Sequence, residues 1–530
     1  MPRESSELES GASSPVGPGD HQLDVEPYAG RGSRRIDLRS AAPFGWTPAV
    51  VLGVVALVER ADSALVGAVL PHLQEDFGFG DLMAGALNSA PALAALLLVG
   101  LAGRLADTRN RKNVLSVVIL SWGLLTFGSA AAPTFAAFFV VRLVLGIAAP
   151  LEQPASASIA GDLYPTRGRT KAFAILRVLE YLGLPLGVIL GGVLADAFGW
   201  RTSFLIMGVP AIVLALCVAL FFREPRRGLA DEITAEGEAR GLARATVDDA
   251  EPVSPTDAIA ATPVAAEVET AEAVEEIGMI EALRRTLRIP TVRAITIAQA
   301  FLFAGASGLF SFATTFFFRV HRDTLTEGAA AGIAGTVGLV GLIVGGTLAS
   351  RIGDRHHGVR PGWRVTTAGW TLFVSALTVP VLAFSGNLPV QIVCFLILNL
   401  GNIIALSNLG AATLDVLPAR KRGVGFAALQ FMVTVGASLG ALIIGAVSAF
   451  VISRETSVTQ GDINAADAAG EPQSVIDALE SSFWSAQASG IEWGVGVVSV
   501  LFILSGLLTF RARATYEADA RAALDETTRG

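Results

Sequence analysis

The stretch AGDLYPTRGRTKAFAIL (residues 160–176) returns 253 residues later as TLDVLPARKRGVGFAAL (residues 413–429). Three glycines further along the chain recur at the same offset. Identities spread over a helix end, a basic loop and the next helix are hard to attribute to composition, so the chain is predicted to contain one structural unit twice. The identical pairs are Asp162 and Asp415, Pro165 and Pro418, Arg167 and Arg420, Arg169 and Arg422, Phe173 and Phe426, Ala174 and Ala427, Leu176 and Leu429, Gly183 and Gly436, Gly187 and Gly440, and Gly192 and Gly445.

The composition places this repeat in a membrane. The chain of 530 residues is 52% hydrophobic and 16% charged, a balance that soluble globular proteins rarely show. Each of about twelve apolar runs is long enough to cross a roughly 30 Å hydrocarbon core. We expect an all-α membrane protein of twelve transmembrane helices, arranged as two six-helix bundles with pseudo-two-fold symmetry. The runs lie near residues 46–70, 82–103, 113–132, 135–160, 172–197, 202–222, 292–318, 328–349, 365–385, 388–414, 424–451 and 490–510.

The runs also predict the domain boundaries. A polar N-terminal tail (1–45) precedes the first bundle (46–222), and a short tail (512–530) follows the second bundle (291–511). Between the bundles, Ala, Glu, Asp, Thr and Pro dominate residues 223–290, which predicts a solvated, disordered acidic linker.

Basic residues predict the orientation. They gather in the loops that an inside start assigns to the cytoplasm, so both termini are predicted to be cytoplasmic. Arg greatly outnumbers Lys, as in GC-rich bacteria, which predicts a bacterial plasma-membrane protein. The net charge of −8 comes largely from the linker, the tails and one loop, so nucleic acid is not an expected partner. Cys217 and Cys394 lie in apolar runs, and no metal or cofactor site is predicted.

A basic loop between the second and third runs reads GRLADTRNRK (residues 103–112). It resembles the cytoplasmic signature of the major facilitator superfamily, and the pair Glu59 and Arg60, followed by GAVLPHLQEDFGFGD (residues 67–81), is similar to spinster-type lysolipid and sphingolipid transporters. The resemblance implies the major facilitator fold, transport by alternating access, and a conformational latch that pairs a carboxylate with basic residues. The latch residues are Gly103, Asp107, Arg109, Arg111 and Lys112.

The first apolar run carries three charges, Glu59, Arg60 and Asp62. An ionised side chain facing lipid costs about 2.5 to 3.5 kcal/mol, so these residues are predicted to face the protein interior. Glu59 and Asp62 share a helix face, whereas Arg60 points about 100° away and needs a partner on another helix. Glu152 and Glu180 are both candidates, and the sequence does not choose between them.

Arg142 and Arg177 complete the charged set of the first half. The second half holds almost no charge in its helices, and its first helix is rich in Phe. A cavity with charge on one wall and aromatic surface on the other suits an amphiphile. Glu59 and Asp62 are predicted to carry protons, and Arg60 to switch partners or to bind an anionic headgroup. The alternative is a static ion-pair network that only holds helices together.

The function predicted from these features is secondary active transport of an amphiphilic or lipid-like molecule, with protons and membrane lipids as the other partners. A multidrug efflux antiporter would use the same bundle and the same charges. A non-transporting membrane receptor could keep the fold without protonatable groups in mid-membrane. An enzyme is not expected, because no nucleophile with its base and no phosphate-binding loop is recognisable.

Overall fold

Long α-helices form almost all of the chain that the computed structural model describes. In lipid the backbone must satisfy its own hydrogen bonds, so each apolar run forms a helix. Ten spans are long and apolar enough to cross a membrane. Two further long helices, α1 and α3 below, complete the twelve predicted spans. The described residues are 22–28, 32–108, 110–148, 151–240, 281, 284, 286–354, 362–417 and 422–529, without the side chains of 97–108, 238, 354, 422–428 and 524–529.

The first half of the protein contains the helices α1 to α8. The helices α5 and α6 follow each other along one span, Phe135–Leu163. The bounds are α1 (Thr47–Ala68), α2 (Leu70–Phe77), α3 (Asp81–Thr108), α4 (Arg111–Ala130), α5 (Phe135–Ala148), α6 (Glu152–Leu163), α7 (Thr166–Phe198) and α8 (Trp200–Phe221).

The second half contains the helices α10 to α17. Here α16 continues into α17 as the last long apolar span. The bounds are α10 (Pro290–Val320), α11 (Glu327–Asp354), α12 (Trp363–Phe384), α13 (Leu388–Asp415), α14 (Arg422–Glu455), α15 (Gln460–Ala468), α16 (Gln473–Gly496) and α17 (Val498–Arg529).

The N-terminal tail and the start of the linker form a small ordered unit. The strands β1 (Gln22–Val25) and β2 (Arg34–Asp37) pair antiparallel, and the helix α9 (Leu229–Ala239) packs on them. Their shared core consists of a few buried aliphatic side chains, among them Ile36 and Ile233. This part of the linker is ordered, contrary to the prediction of a disordered linker. Its apolar residues are too sparse to form a recognisable run, but they pack together against the hairpin.

The repeat reappears as the same helix packing in both halves. In α7, a Cβ added to Gly187 would lie 2.2 Å from the backbone oxygen of Ala61 in α1. In α14, a Cβ on its repeat partner Gly440 would lie 2.0 Å from the backbone oxygen of Ala304 in α10. Only glycine allows backbones to approach this closely. The predicted internal duplication is therefore a duplication of structure.

The last glycine of each repeat faces the other half. A Cβ on Gly192 of α7 would lie 2.2 Å from the Cβ of Ala331 in α11, and one on Gly445 of α14 would lie 2.2 Å from the backbone oxygen of Asp81 in α3. These contacts lie at the end of the bundle opposite the hairpin and α9. We call that end the closed end, and the end with the hairpin and α9 the linker end.

An ion pair at the closed end joins the halves. Arg319 of α10 donates to both carboxylate oxygens of Asp81 in α3, at 2.8 and 2.9 Å. Gln74 donates to Asp81 at 2.7 Å and accepts from Arg319 at 3.0 Å, and Ser448 of α14 also donates to Asp81. Both ionic side chains are buried. A charge left unpaired here would be costly, so this contact stabilises the closed arrangement.

A second contact between the halves joins His72 of α2 to Glu327 of α11. Nearby, Thr326 donates to Asp196 of α7 at 2.6 Å. Burial of His72 opposes its protonation, but the hydrogen bond and charge of Glu327, with Asp196 and Glu75 close by, outweigh it. The pKa of His72 is therefore raised above its usual range.

We expect Gly187→Ala to destabilise the protein by about 1 to 3 kcal/mol, because the new methyl group would push α1 away from α7. Gly410→Ala is the matched control, since nothing lies within 4 Å of a Cβ at Gly410. This control should unfold at the parent temperature or slightly above it. Thermal unfolding of the two purified variants in detergent checks this, and equal midpoints would contradict the packing described here.

The raised pKa of His72 predicts that the closed end responds to pH. Protonated His72 binds ionised Glu327, so as long as Glu327 is charged the contact contributes fully below pH ~6.5, and it is lost as the pH rises through the raised pKa. Distances between spin labels on the two halves at the closed end should lengthen or broaden over that range. His72→Gln should remove the response. His321→Gln is the control, because His321 bonds at 2.6 Å to Gln391 within its own half. A parent distance independent of pH would exclude the effect.

Candidate functional site

The interior of the first half holds most of the predicted charged residues in paired form. Arg60 of α1 donates from Nη2 and Nε to one oxygen of Glu180 in α7, at 2.7 and 3.0 Å. Arg177, one turn earlier on α7, donates to the other oxygen of Glu180 at 2.8 Å. The structure thus answers a question that the sequence left open, since Arg60 pairs with Glu180 rather than Glu152.

Glu59 also lies beside Arg60. The distance from Arg60 Nε to Glu59 Oε2 is 3.4 Å, and Ser63 donates to Glu59 Oε1 at 3.3 Å. Helix geometry predicts that Arg60 pairs poorly with Glu59, and their contact is the longer one, since Arg60 lies 2.7 and 3.0 Å from Glu180. Arg60 therefore lies between two carboxylates from different helices, and 39% of its side chain is exposed.

Asp62 forms a separate ion pair deeper in the bundle. Arg142 of α5 donates to Asp62 Oδ2 at 2.9 Å, and Thr126 of α4 donates to Oδ1 at 2.9 Å. The guanidinium carbon of Arg142 lies 4.5 Å from the ring centre of Phe204, an attractive cation–π distance. Asp62 and Arg142 are both buried. The sequence identified both residues but not their pairing.

Glu152 differs from the other buried carboxylates. It is 5% exposed and accepts a hydrogen bond from Ser156, one turn later on α6. Among the residues that the structure describes, no Arg or Lys forms an ion pair with it. Glu152 and Glu180 line one small cavity together with Gln153. Ionising a carboxyl group that is buried without a paired cation is costly, so Glu152 differs from Glu180, whose two arginines offset that cost.

The predicted latch is centred on Arg111 in the described part of the chain. This side chain is almost completely buried and bonds to Asp162 at the end of α6 and to Glu224 after α8. The backbone N–H of Lys112 also donates to Glu224, at 2.8 Å. The other three latch residues, Gly103, Asp107 and Arg109, fall outside the described side chains.

The second half has a counterpart of this ion pair. Arg364 at the start of α12 donates to Asp415 at 3.2 Å. The offset from Arg111 to Arg364 is 253 residues, as it is from Asp162 to Asp415. Sequence reasoning aligned the two aspartates but did not align Arg111 with Arg364, although the same offset of 253 residues relates them.

The interior charges of the first half have no equivalents in the second. The glycine contacts align Ala61 with Ala304, an offset of 243 residues for the first helix of each half. At that offset Leu302, Phe303 and Gly305 occupy the places of Glu59, Arg60 and Asp62. Phe395 takes the place of Arg142 at the repeat offset of 253.

The aromatic side chains of α10 do not all face the space between the halves. Phe312, Phe316 and Phe317 are buried in the packing of the second half, where Phe317 lies 5.6 Å from the ring of Phe395. The predicted aromatic surface therefore does not include these three residues, because they are buried against neighbouring side chains.

The family model of the Major Facilitator Superfamily matches residues 52–441. An MFS-type efflux pump from Mycolicibacterium smegmatis is 26% identical over 409 residues, which are 76% of this chain and 84% of that protein. The puromycin resistance protein pur8 of Streptomyces alboniger is 30% identical over 202 residues, 38% of this chain and 40% of that protein. The sphingosine-1-phosphate transporter SPNS2 of Danio rerio is 29% identical over 192 residues, 35% of this chain and 38% of that protein.

The matches to pur8 and to SPNS2 therefore span less than half the length of either protein. Among solved structures, a bacterial homolog of the human lysosomal transporter spinster, in an inward-facing and unoccupied conformation, superposes with a TM-score of 0.70. It is 20% identical, and the match covers 89% of this chain and 98% of that one. At this identity the likeness establishes the fold. The M. smegmatis relative is an efflux pump and SPNS2 is a transporter, so these two relatives are not enzymes. The chain is a multi-pass membrane transporter that belongs to the Major Facilitator Superfamily.

Proposed function

We propose that this transporter is proton-coupled and moves an amphiphilic or lipid-like small molecule by alternating access. The observation that carries the proposal is the set of carboxylate–arginine pairs inside the first half, whereas the second half is apolar at the equivalent positions. In this proposal the two predicted bundles, 46–222 and 291–511, rotate relative to each other as units. We place the protein in a bacterial plasma membrane with both termini in the cytoplasm.

The inter-half contacts support alternating access. Ion pairs and glycine contacts between the halves gather at the closed end, around Asp81 and Glu327. Opening that end breaks these contacts, and closure at the linker end must then compensate for them. The buried Arg111 network lies at the linker end of the first half, where the closure would take place.

The arrangement of charges supports proton coupling. Protonation of Asp62 removes the negative charge that holds the buried Arg142, whereas protonation of Glu59 removes one of the two carboxylates beside Arg60 and leaves Glu180 as its partner. A buried arginine without its carboxylate is costly, so it must find another partner. Arg60 can shift further towards Glu180 or bind the headgroup of a substrate, since its side chain is partly exposed. Protonation and substrate binding are thereby linked.

The contrast between the halves supports an amphiphilic substrate. A polar head would lie near Arg60, and an apolar tail would lie against aliphatic and aromatic side chains of α10 such as Phe303, which is partly exposed. The similarity to SPNS2 over 192 residues is consistent with a lipid-like molecule.

A multidrug efflux antiporter is the second candidate. The M. smegmatis efflux pump is matched over 84% of its length, a longer match than that to SPNS2. Such exporters also accept amphiphiles, so the two candidates differ in substrate class rather than in the proposed coupling.

The test compares the parent protein with Glu59→Gln in proteoliposomes that contain a pH-sensitive dye. Lysophospholipids, cationic dyes and small organic acids are added outside one at a time. We expect one class to evoke proton movement in the parent and at least tenfold less in Glu59→Gln, because the amide cannot exchange a proton. Glu480→Gln, which changes an exposed glutamate in α16, is the matched control and should behave as the parent does.

The active compound class separates a lipid transporter from a drug exporter. If Glu59→Gln moves substrate and protons as well as the parent does, Glu59 is only structural and the proposed coupling is wrong. Substrate movement in the parent without any proton movement would also exclude proton coupling.

A further inference from the structure

A small cavity inside the first half is lined by both acidic residues of α1. Glu59 and Asp62 line it from one side, and Trp122 and Thr126 of α4 line it from the other. Aliphatic and sulfur-containing side chains of α5 and α8 close it off. The cavity has room for about one water molecule.

Helix geometry explains why these residues meet. The helices α1 and α4 both run from the linker end towards the closed end, and Thr126 bonds to Asp62 at 2.9 Å. Trp122 lies about 6 Å before Thr126 along α4, and Glu59 lies about 4.5 Å before Asp62 along α1. The indole of Trp122 is therefore level with Glu59, while Thr126 is level with Asp62.

Trp122 brings an unused hydrogen-bond donor to this cavity. Its side chain is 4% exposed, and its Nε1 donates to no described protein atom. A buried indole N–H normally has a partner, since an unsatisfied donor is costly. The carboxylates next to it are acceptors that already have other partners, namely Ser63 for Glu59, and Thr126 and Arg142 for Asp62.

We propose that one bound water links Glu59 to Asp62 and that Trp122 is the residue that positions it. The water accepts a hydrogen bond from Trp122 Nε1 and donates one hydrogen to each carboxylate, which gives it the three bonds that buried waters commonly make. This inference rests on the proposed proton coupling, and it adds a route between the two proton carriers.

The transfer through this water is balanced. When Glu59 is protonated, the hydrogen bond between it and the water reverses, so that Glu59 donates to the water oxygen. Glu59 then gives its proton to the water, and the water gives one of its own hydrogens to Asp62. The water is regenerated, one carboxylate has gained a negative charge and the other has lost it. Asp62 then no longer attracts Arg142 as a carboxylate would, so the ion pair at 2.9 Å is released.

The test combines infrared difference spectra of the purified protein with transport by Trp122→Phe. A pH step should produce carboxylic acid C=O bands, and Glu59→Gln and Asp62→Asn assign them by removing one band each. Trp122→Phe keeps an aromatic ring but has no N–H, so we expect it to shift or broaden the assigned bands. Its proton-coupled transport should be about tenfold slower, in keeping with the loss of one hydrogen bond at a charged group.

Trp370→Phe is the matched control, because Trp370 is 62% exposed on the surface of α12. It should leave both the bands and the transport rate unchanged. If Trp122→Phe does not fold, a benzothienyl-alanine at position 122 keeps the shape of the indole and replaces the N–H by sulfur. The same shift of the bands is expected with this replacement.

The outcomes separate this inference from the proposed function. Assigned bands that do not change when the N–H at position 122 is removed overturn the role of Trp122, and proton coupling stands. Spectra without a titrating band from Glu59 or Asp62 overturn the coupling through α1, and this inference with it.

Discussion

The pairing of charges inside α1 constrains the rest of the first half. Three ionised residues facing lipid would cost roughly 7 to 10 kcal/mol, at about 2.5 to 3.5 kcal/mol each. The structure avoids this cost by bringing Glu180 from α7 and Arg142 from α5 to meet Arg60 and Asp62. These partners fix the rotation of three helices relative to one another. Movement during transport is therefore more easily accommodated between the halves than within this one.

The glycines of α7 and α14 make two kinds of contact, one within each half and one between the halves. Gly187 and Gly440 hold each helix against the first helix of its own half, whereas Gly192 and Gly445 hold it against the other half. Close backbone packing resists deformation, so each helix moves with its own half. The contacts of the last glycine must then separate when the closed end opens. The repeated glycines thus form both the packing within each bundle and the contacts between the two bundles that must separate.

The sequence was sufficient for the architecture but not for the pairing inside it. Apolar runs and the repeat predict the spans, because lipid leaves few alternatives to a helix. The partner of Arg60 was not predictable, since Glu152 and Glu180 lie on different helices and the rotation of α6 and α7 decides between them. The hairpin and α9 were missed because their few apolar residues are separated by more than 190 positions, as Ile36 and Ile233 show.

The second half is an internal comparison for the role of the buried charges. It keeps the glycine packing of the first half and the Arg364–Asp415 pair, but it has Leu302, Phe303 and Gly305 in place of the three charges of α1. An equivalent six-helix bundle therefore packs without those ion pairs. Well-packed apolar residues are often at least as stabilising as a buried ion pair, so stability alone gives no reason to keep the charges in the first half. Their presence in only one copy of a duplicated unit therefore favours the proposed role in transport over a static network.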